Sequence, residues 1–392
     1  MSPERAAGAE PQPIQAADLW DAVTGAGIEF FAGVPDSLLK DFIAYLSEHA
    51  DPASHVTAAN EGGAIALAAG YHLATGRVAA VYLQNSGLGN TINPLTSLVD
   101  PEVYGIPVLL IIGWRGRPGV HDEPQHRKQG AVTLQQLDVL SVPYLVLDEA
   151  IEDGAAAATS IRSLVARAIE NGGPVALVVP PGRLVPYKRA ASAAAPRFGL
   201  RREQAIEAVL ANVGPRDVVV CTTGMASREV FESRHRANAG HGQDFLTVGS
   251  MGHASQIALG IALARPDRTV HCIDGDGAAL MHLGALAIIG HRGPSNLRHV
   301  IVNNGAHDSV GGQPTAGLDV DLTAIAAACG YRGTRRVESF DAIATAIGEL
   351  ASTPGPTLLE IRVDIGARAD LGRPTATPAE NKAELMDFLR DR

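Results

Sequence analysis

Residues 270–277 (VHCIDGDG) and 299–306 (HVIVNNGA) decide the fold of this chain. Each is an apolar run that stops abruptly at a cluster of Gly, Asp or Asn. Such runs read as buried strands, and in an open α/β sheet ligands bind outside the carboxyl ends of the strands. At these two ends Asp276 offers a carboxylate, Asn304 an amide oxygen and Ala306 a main-chain carbonyl. Three hard oxygen donors suit Mg2+, which keeps few protein ligands and shares the rest with water and phosphate oxygens. Gly275 and Gly277 have no Cβ and let the main chain approach an anion closely. A helix expected to start near Ala278 points its first amides at that anion. The pattern describes a metal and diphosphate site on two adjacent strand ends.

Outward from this pair, strands alternate with helices along the whole chain. Strands are expected at 29–32, 55–57, 79–84, 108–112, 175–179, 218–221, 245–248 and 357–363. Helices are expected at 14–25, 38–48, 64–75, 134–140, 156–171, 201–213, 254–264, 322–329 and 341–351. This alternation predicts parallel sheets with helices on both faces. Residues 187–198 (YKRAASAAAPRF) are the best linker candidate, being Ala-rich, basic and ended by Pro. The expected organisation is a disordered tail over 1–13, an α/β domain over 14–186, the linker, and a second α/β domain over 199–392.

The 392 residues are 46% hydrophobic, enough for two ordinary domains. A net charge of -10 with no basic block argues against a nucleic-acid partner, so an anionic substrate must be steered by local positive charge. Cys221, Cys272 and Cys329 are far apart in sequence with no CxxC pair, which fits a reducing cytoplasm. Cys221 and Cys272 sit in strand-like runs and read as small buried hydrophobes. The first thirteen residues have no apolar core of a signal peptide, and no run is long enough to span a membrane.

In residues 58–71 (AANEGGAIALAAGY), Glu61 stands where a strand passes into an Ala-rich helix. Burial there raises a carboxylate's pKa and suits it to share a proton with a neutral heterocycle. A helix-start Glu favoured by the macrodipole is the other reading of the same residue.

The GDG run with NN about twenty-five residues later resembles the signature of the thiamine-diphosphate (ThDP) enzymes, and residues 58–71 resemble their catalytic-glutamate segment. The resemblance implies two ThDP-binding-type domains, a pyrimidine-binding one (14–186) and a diphosphate-binding one (199–392), with no middle domain. It implies that Glu61 binds N1′ of the aminopyrimidine and promotes the imino tautomer that deprotonates thiazolium C2. It further implies that Met251, in residues 248–253 (VGSMGH), wedges between the two rings while the Gly249 carbonyl accepts from the 4′-amino group. A Met packed into the core of a Gly-rich turn is the alternative. Gly275, Asp276, Gly277 and Asn304 would hold the diphosphate and Mg2+, with Ala306 as third metal ligand. Subunits of the family share their sites, which implies at least a homodimer.

Several further stretches resemble one group of small ThDP decarboxylases, those acting on phosphonopyruvate, with the sulfopyruvate enzymes as near relatives. These are residues 33–39 (GVPDSLL), 82–98 (YLQNSGLGNTINPLTSL), 113–126 (GWRGRPGVHDEPQH), 222–229 (TTGMASRE) and 303–315 (NNGAHDSVGGQPT). The implied activity is non-oxidative loss of carbon dioxide in phosphonate natural-product biosynthesis. A sulfopyruvate decarboxylase or a ThDP-dependent carboligase is the alternative. For an anionic 2-oxo acid, Arg115 follows a buried strand and reads as an anion-binding guanidinium or a solvated loop arginine. Ser37 reads as a donor to the same group or as a helix N-cap. His121 and His126 bracket two acids in a Gly- and Pro-rich loop; one of them, with His121 the candidate, would protonate the enamine or pair with the substrate carboxylate, a solvated loop histidine being the other reading. His307 and Asp308 line the diphosphate side or close the turn.

Overall fold

Strand ends are where the chemistry-bearing residues fall, and the computed structural model, which describes residues 13–148, 151, 153–188 and 196–390, fixes how those strands are ordered. The chain divides into two compact units, Met1–Ser192 and Ala193–Arg392. Most of the expected tail (1–12) and of the expected linker (189–195) lies outside the described residues.

The first unit holds β1 (Phe31–Gly33), β2 (His55–Thr57), β3 (Ala79–Gln84), β4 (Val108–Gly113), β5 (Tyr144–Val146) and β6 (Pro174–Val179). They form one parallel sheet in the order β2-β1-β3-β4-β6-β5. The second unit holds β7 (Val218–Cys221), β8 (Asp244–Leu246), β9 (Val270–Gly275), β10 (Leu297–Asn303), β11 (Ala306–His307), β12 (Gln313–Pro314), β13 (Gly333–Val337) and β14 (Thr357–Arg362). Its six-stranded parallel sheet runs β13-β14-β10-β9-β7-β8, and β11 pairs with β12 in a small antiparallel ladder. Taken strand by strand the two six-stranded orders are the same. In each, the chain reverses its direction of winding between the first and third strands, and a crevice opens at such a switch point.

Both faces of each sheet are covered, which is why the central strands read as unbroken apolar runs. Along β4, Leu109 and Ile111 enter one apolar cluster while Val108, Leu110 and Ile112 enter the other. In the second unit Val300 and Val302 of β10 face one cluster, and Leu297 and Ile301 face the opposite one. Among the described residues no helix is long and apolar enough to cross a membrane.

Candidate active site

Strands β9 and β10 pair in parallel with Gly275 opposite Val302, so the loops after them emerge side by side. Asp276 is the first residue of the helix Asp276–Met281, which therefore starts two residues earlier than expected and runs only six residues. Its side chain is 2% exposed. Burial pushes its carboxyl up to about 6, opposed by hydrogen bonds from Thr315 Oγ1 and from main-chain N–H groups including that of Asn304. Among the described residues no Lys or Arg pairs with it. A buried carboxylate without a counter-charge is costly, and a divalent cation is the group that removes the cost.

The two asparagines of the NN pair have separate tasks. Asn303 is fully buried and donates to Gly317 O at 2.7 Å and Glu360 Oε1 at 2.9 Å, so it braces the loop. Asn304 Oδ1 accepts the Ala306 N–H at 3.0 Å and keeps a second lone pair. Ala306 lies opposite Pro314, which has no N–H to donate. A Cβ on Gly275 would meet nothing within 4 Å, so space is open beside the turn; one on Gly277 would stand 3.1 Å from the His307 ring. Asp276, Asn304 and Ala306 thus form a donor set of the kind Mg2+ takes. His307, half-buried, is pushed down to about 4 by burial. Asp308 closes the turn: its carboxylate takes Arg202 Nη1 at 2.8 Å and the Gly366 N–H at 3.3 Å. Upstream, Gly249 and Met251 flank Ser250, which holds a left-handed φ of 52°, and Met251 is half-buried.

In the first unit Glu61 is the first residue of the helix Glu61–Thr75, capped by the Asn60 side chain on the Gly63 N–H at 2.8 Å. Glu61 is 5% exposed. Burial raises its carboxyl above the ordinary range, partly offset by Asn90, whose Nδ2 donates to Oε2 at 2.7 Å. Gly87, fully buried, packs directly against the same carboxylate. Both features read from sequence, the helix start and the desolvated acid, hold together in one residue.

Arg115 follows β4, but its fork is already taken. Nε and Nη2 pair with Asp122, and Nη1 donates to Ser37 Oγ at 2.7 Å. Asp122 also accepts the N–H groups of Gly116 and Glu123. Arg115 is therefore neither an open anion-binding fork nor a solvated loop residue; it ties the 116–123 loop to the β1 turn. Ser37 does not cap a helix, and the helix Lys40–His49 has no side-chain cap; Asp36 holds the turn before it, accepting the N–H groups of Leu38 and Leu39, with Gln84 on its other oxygen at 2.7 Å. His121 is exposed on the loop and lines a cleft of about 360 Å³ with residues 116–120, Asp122, Arg127 and Ala131. His126 is half-buried and pushed down to about 4, first by burial and then by Arg115. Asn90, Thr315, Asp122 and Asp36 were not picked out as partners by sequence reasoning. Only Asp36 carried a signal, since an Asp side chain readily accepts main-chain N–H groups two and three residues on in a turn.

Comparison with known proteins follows this geometry. The model described as thiamine pyrophosphate enzyme, N-terminal TPP binding domain, matches residues 15–140, and the corresponding C-terminal TPP binding domain matches residues 222–361. The chain is 42% identical to the phosphonopyruvate decarboxylase of Streptomyces viridochromogenes, over 96% of this chain and 95% of that protein. It is 40% identical to that of Streptomyces hygroscopicus, over 96% and 94%. With the sulfopyruvate decarboxylase of Methanosarcina acetivorans it shares 29% identity over 81% and 83%. The chain thus belongs to the phosphonopyruvate decarboxylase family of thiamine-diphosphate enzymes, and it is a ThDP-dependent decarboxylase, a carboxy-lyase.

Proposed function

We propose that the chain converts 3-phosphonopyruvate to phosphonoacetaldehyde and carbon dioxide, using ThDP with Mg2+, in phosphonate biosynthesis. One observation carries the substrate: about 40% identity over 96% of the chain, spanning both units, to two phosphonopyruvate decarboxylases, against 29% to a sulfopyruvate enzyme. When bound, the coenzyme supplies the electron sink for loss of the carboxylate.

The chain's own residues supply position and protons. Glu61, whose carboxyl burial raises above its ordinary range and whose Oε2 is held by Asn90, would share a proton with a neutral ring nitrogen. Asp276, Asn304 Oδ1 and the Ala306 carbonyl would hold Mg2+, and Gly275 and Gly277 would lie beside the diphosphate. Gly249 and Met251 would support the coenzyme. Ser37 accepts from Arg115, so its own hydroxyl proton is left for an anionic oxygen of the substrate. Arg115 adds charge beside that hydroxyl more than direct grip. His121, exposed at the cleft, is the candidate proton donor.

We further propose that the chain works in the cytoplasm as at least a homodimer, the Glu61 half of one copy serving the Asp276 half of another. Sedimentation of the active enzyme tests this, and a fully active monomer contradicts it. The substrate is tested by comparing kcat/KM for phosphonopyruvate and sulfopyruvate on purified enzyme with ThDP and Mg2+. A clear preference for phosphonopyruvate is expected; equal or reversed preference would overturn the assignment.

A further inference from the structure

In the second unit, a second cluster of buried ligand-type side chains lies apart from the Asp276 carboxylate. Cys272 and Asp274 are two residues apart on β9, and His299 stands opposite Cys272 on β10, so all three side chains leave the same face of the sheet. All are buried, at 0%, 1% and 1% exposure. One donor atom of each lies within 4.8 Å of the others. The same face carries Val270, Leu297, Ile301 and Leu358, so the three side chains sit in a largely apolar surrounding.

Two of the donor atoms are orphans. Among the described residues Asp274 Oδ2 and His299 Nε2 have no hydrogen-bond partner, and they stand 3.6 Å apart. That is too long for a hydrogen bond between them. It is close to the edge of a tetrahedron whose bonds are about 2.0–2.1 Å, roughly 3.3 Å. The other atoms of the pair are committed: Asp274 Oδ1 accepts the Gly275 N–H at 3.0 Å, and His299 Nδ1 lies 3.1 Å from the Tyr331 hydroxyl. With Nδ1–H donated to Tyr331, Nε2 turns a lone pair toward a carboxylate oxygen. A cation between them satisfies both, and a second contact on the far ring nitrogen is the usual company of a ligating histidine. Charge points the same way. Among the described residues no Lys or Arg pairs with Asp274, whose nearest cationic candidate is His299 itself.

We propose that Cys272, Asp274 and His299 bind a divalent transition ion of the zinc class, at a site separate from that of Mg2+. Sulfur, imidazole and carboxylate together favour zinc or cobalt over magnesium. The ion ties β9 to β10 directly beneath the turn that presents Asp276, so its role is structural.

The test is metal content. Wild-type enzyme, Cys272→Ala, His299→Gln and Asp276→Asn are produced in zinc-supplemented medium, purified with ThDP and Mg2+, and analysed by mass spectrometry of the elements. About one zinc per chain is expected in wild type and in Asp276→Asn, with the zinc lost from the first two variants. Zinc absent from folded wild type, or equal in all four proteins, would overturn the proposal. Should the Cys272 and His299 variants not fold, cobalt-loaded enzyme in a Cys329→Ser background decides. A thiolate-to-cobalt charge-transfer band supports the site, and its absence rejects it.

Discussion

Replacing Gly87 by Ala tests Glu61 without touching its charge. Gly87 has φ -77° and ψ -11°, so alanine fits the backbone without strain. The added Cβ, however, would stand 2.6 Å from both Cγ and Cδ of Glu61, where ordinary contact begins at 3.4 Å. Oε1 is closer still, so the carboxylate must retreat by roughly 1 Å. A displacement near 1 Å at a reacting group costs on the order of 10²-fold in rate. Overpacking costs a further ~1–3 kcal/mol of stability, which a melting curve reports separately. The assay is the initial rate of carbon dioxide release from phosphonopyruvate at saturating ThDP and Mg2+. Gly89→Ala is the control, because its Cβ meets nothing within 4 Å and it lies in the same helical entry. The expected result is a fall of about 100-fold for Gly87→Ala, with Gly89→Ala close to wild type. A Gly87→Ala enzyme that is folded and within a few-fold of wild type would refute the claim that the rate rests on where this carboxylate stands.

Other consequences follow from the same geometry. Glu61→Gln should lower kcat by roughly 10²–10⁴-fold, as loss of a positioned proton carrier does, while the coenzyme still binds in calorimetry. Its stability should move the other way. Burial raises the folded pKa above the ordinary 4.5, so the folded state holds a proton the unfolded chain has released, and this residue's contribution falls as pH rises from 4.5 through the folded pKa. Glu61→Gln apoprotein should therefore melt above wild type at neutral pH, and the gap should close below 4.5; a gap independent of pH contradicts the burial argument. Thr315→Val removes the hydroxyl on Asp276 and should weaken Mg2+ by roughly 10–100-fold in a titration of activity. Arg115→Lys cannot reproduce the paired bonds to Asp122 together with the bond to Ser37, and KM for phosphonopyruvate should rise well beyond any change in ThDP affinity.

The parts of this molecule that sequence reveals are those governed by local chemistry. Apolar runs ending in Gly, Asp or Asn located β3, β4, β9 and β10, because strands buried on both faces must be apolar throughout. The edge strands β5 and β13 escaped notice. They sit at the ends of their sheets, and β13 reads GTRRV, with arginines where a central strand would carry valines. The helix Pro124–Val139 was visible only from residue 134, since its first two turns are polar and its buried positions include Gly130 and Thr133. Asp276, Asn304 and Glu61 announce themselves by strand-end position. Their partners do not: Asn90 lies 29 residues from Glu61 and Thr315 lies 39 from Asp276, and only the fold brings them together. Arg115 shows the same limit. Its type and position suggest an anion, and nothing local reveals that Asp122 already fills its fork.

Coenzyme dependence of the reaction is the most direct measurement. Purified chain is stripped of ThDP and Mg2+ by dialysis against a chelator, then mixed with phosphonopyruvate, and phosphorus NMR follows the product while evolved carbon dioxide is counted. Phosphonoacetaldehyde and carbon dioxide should form in equal amounts when both are restored, and neither should form when either is withheld. Turnover without ThDP, or no turnover with it, would contradict the account.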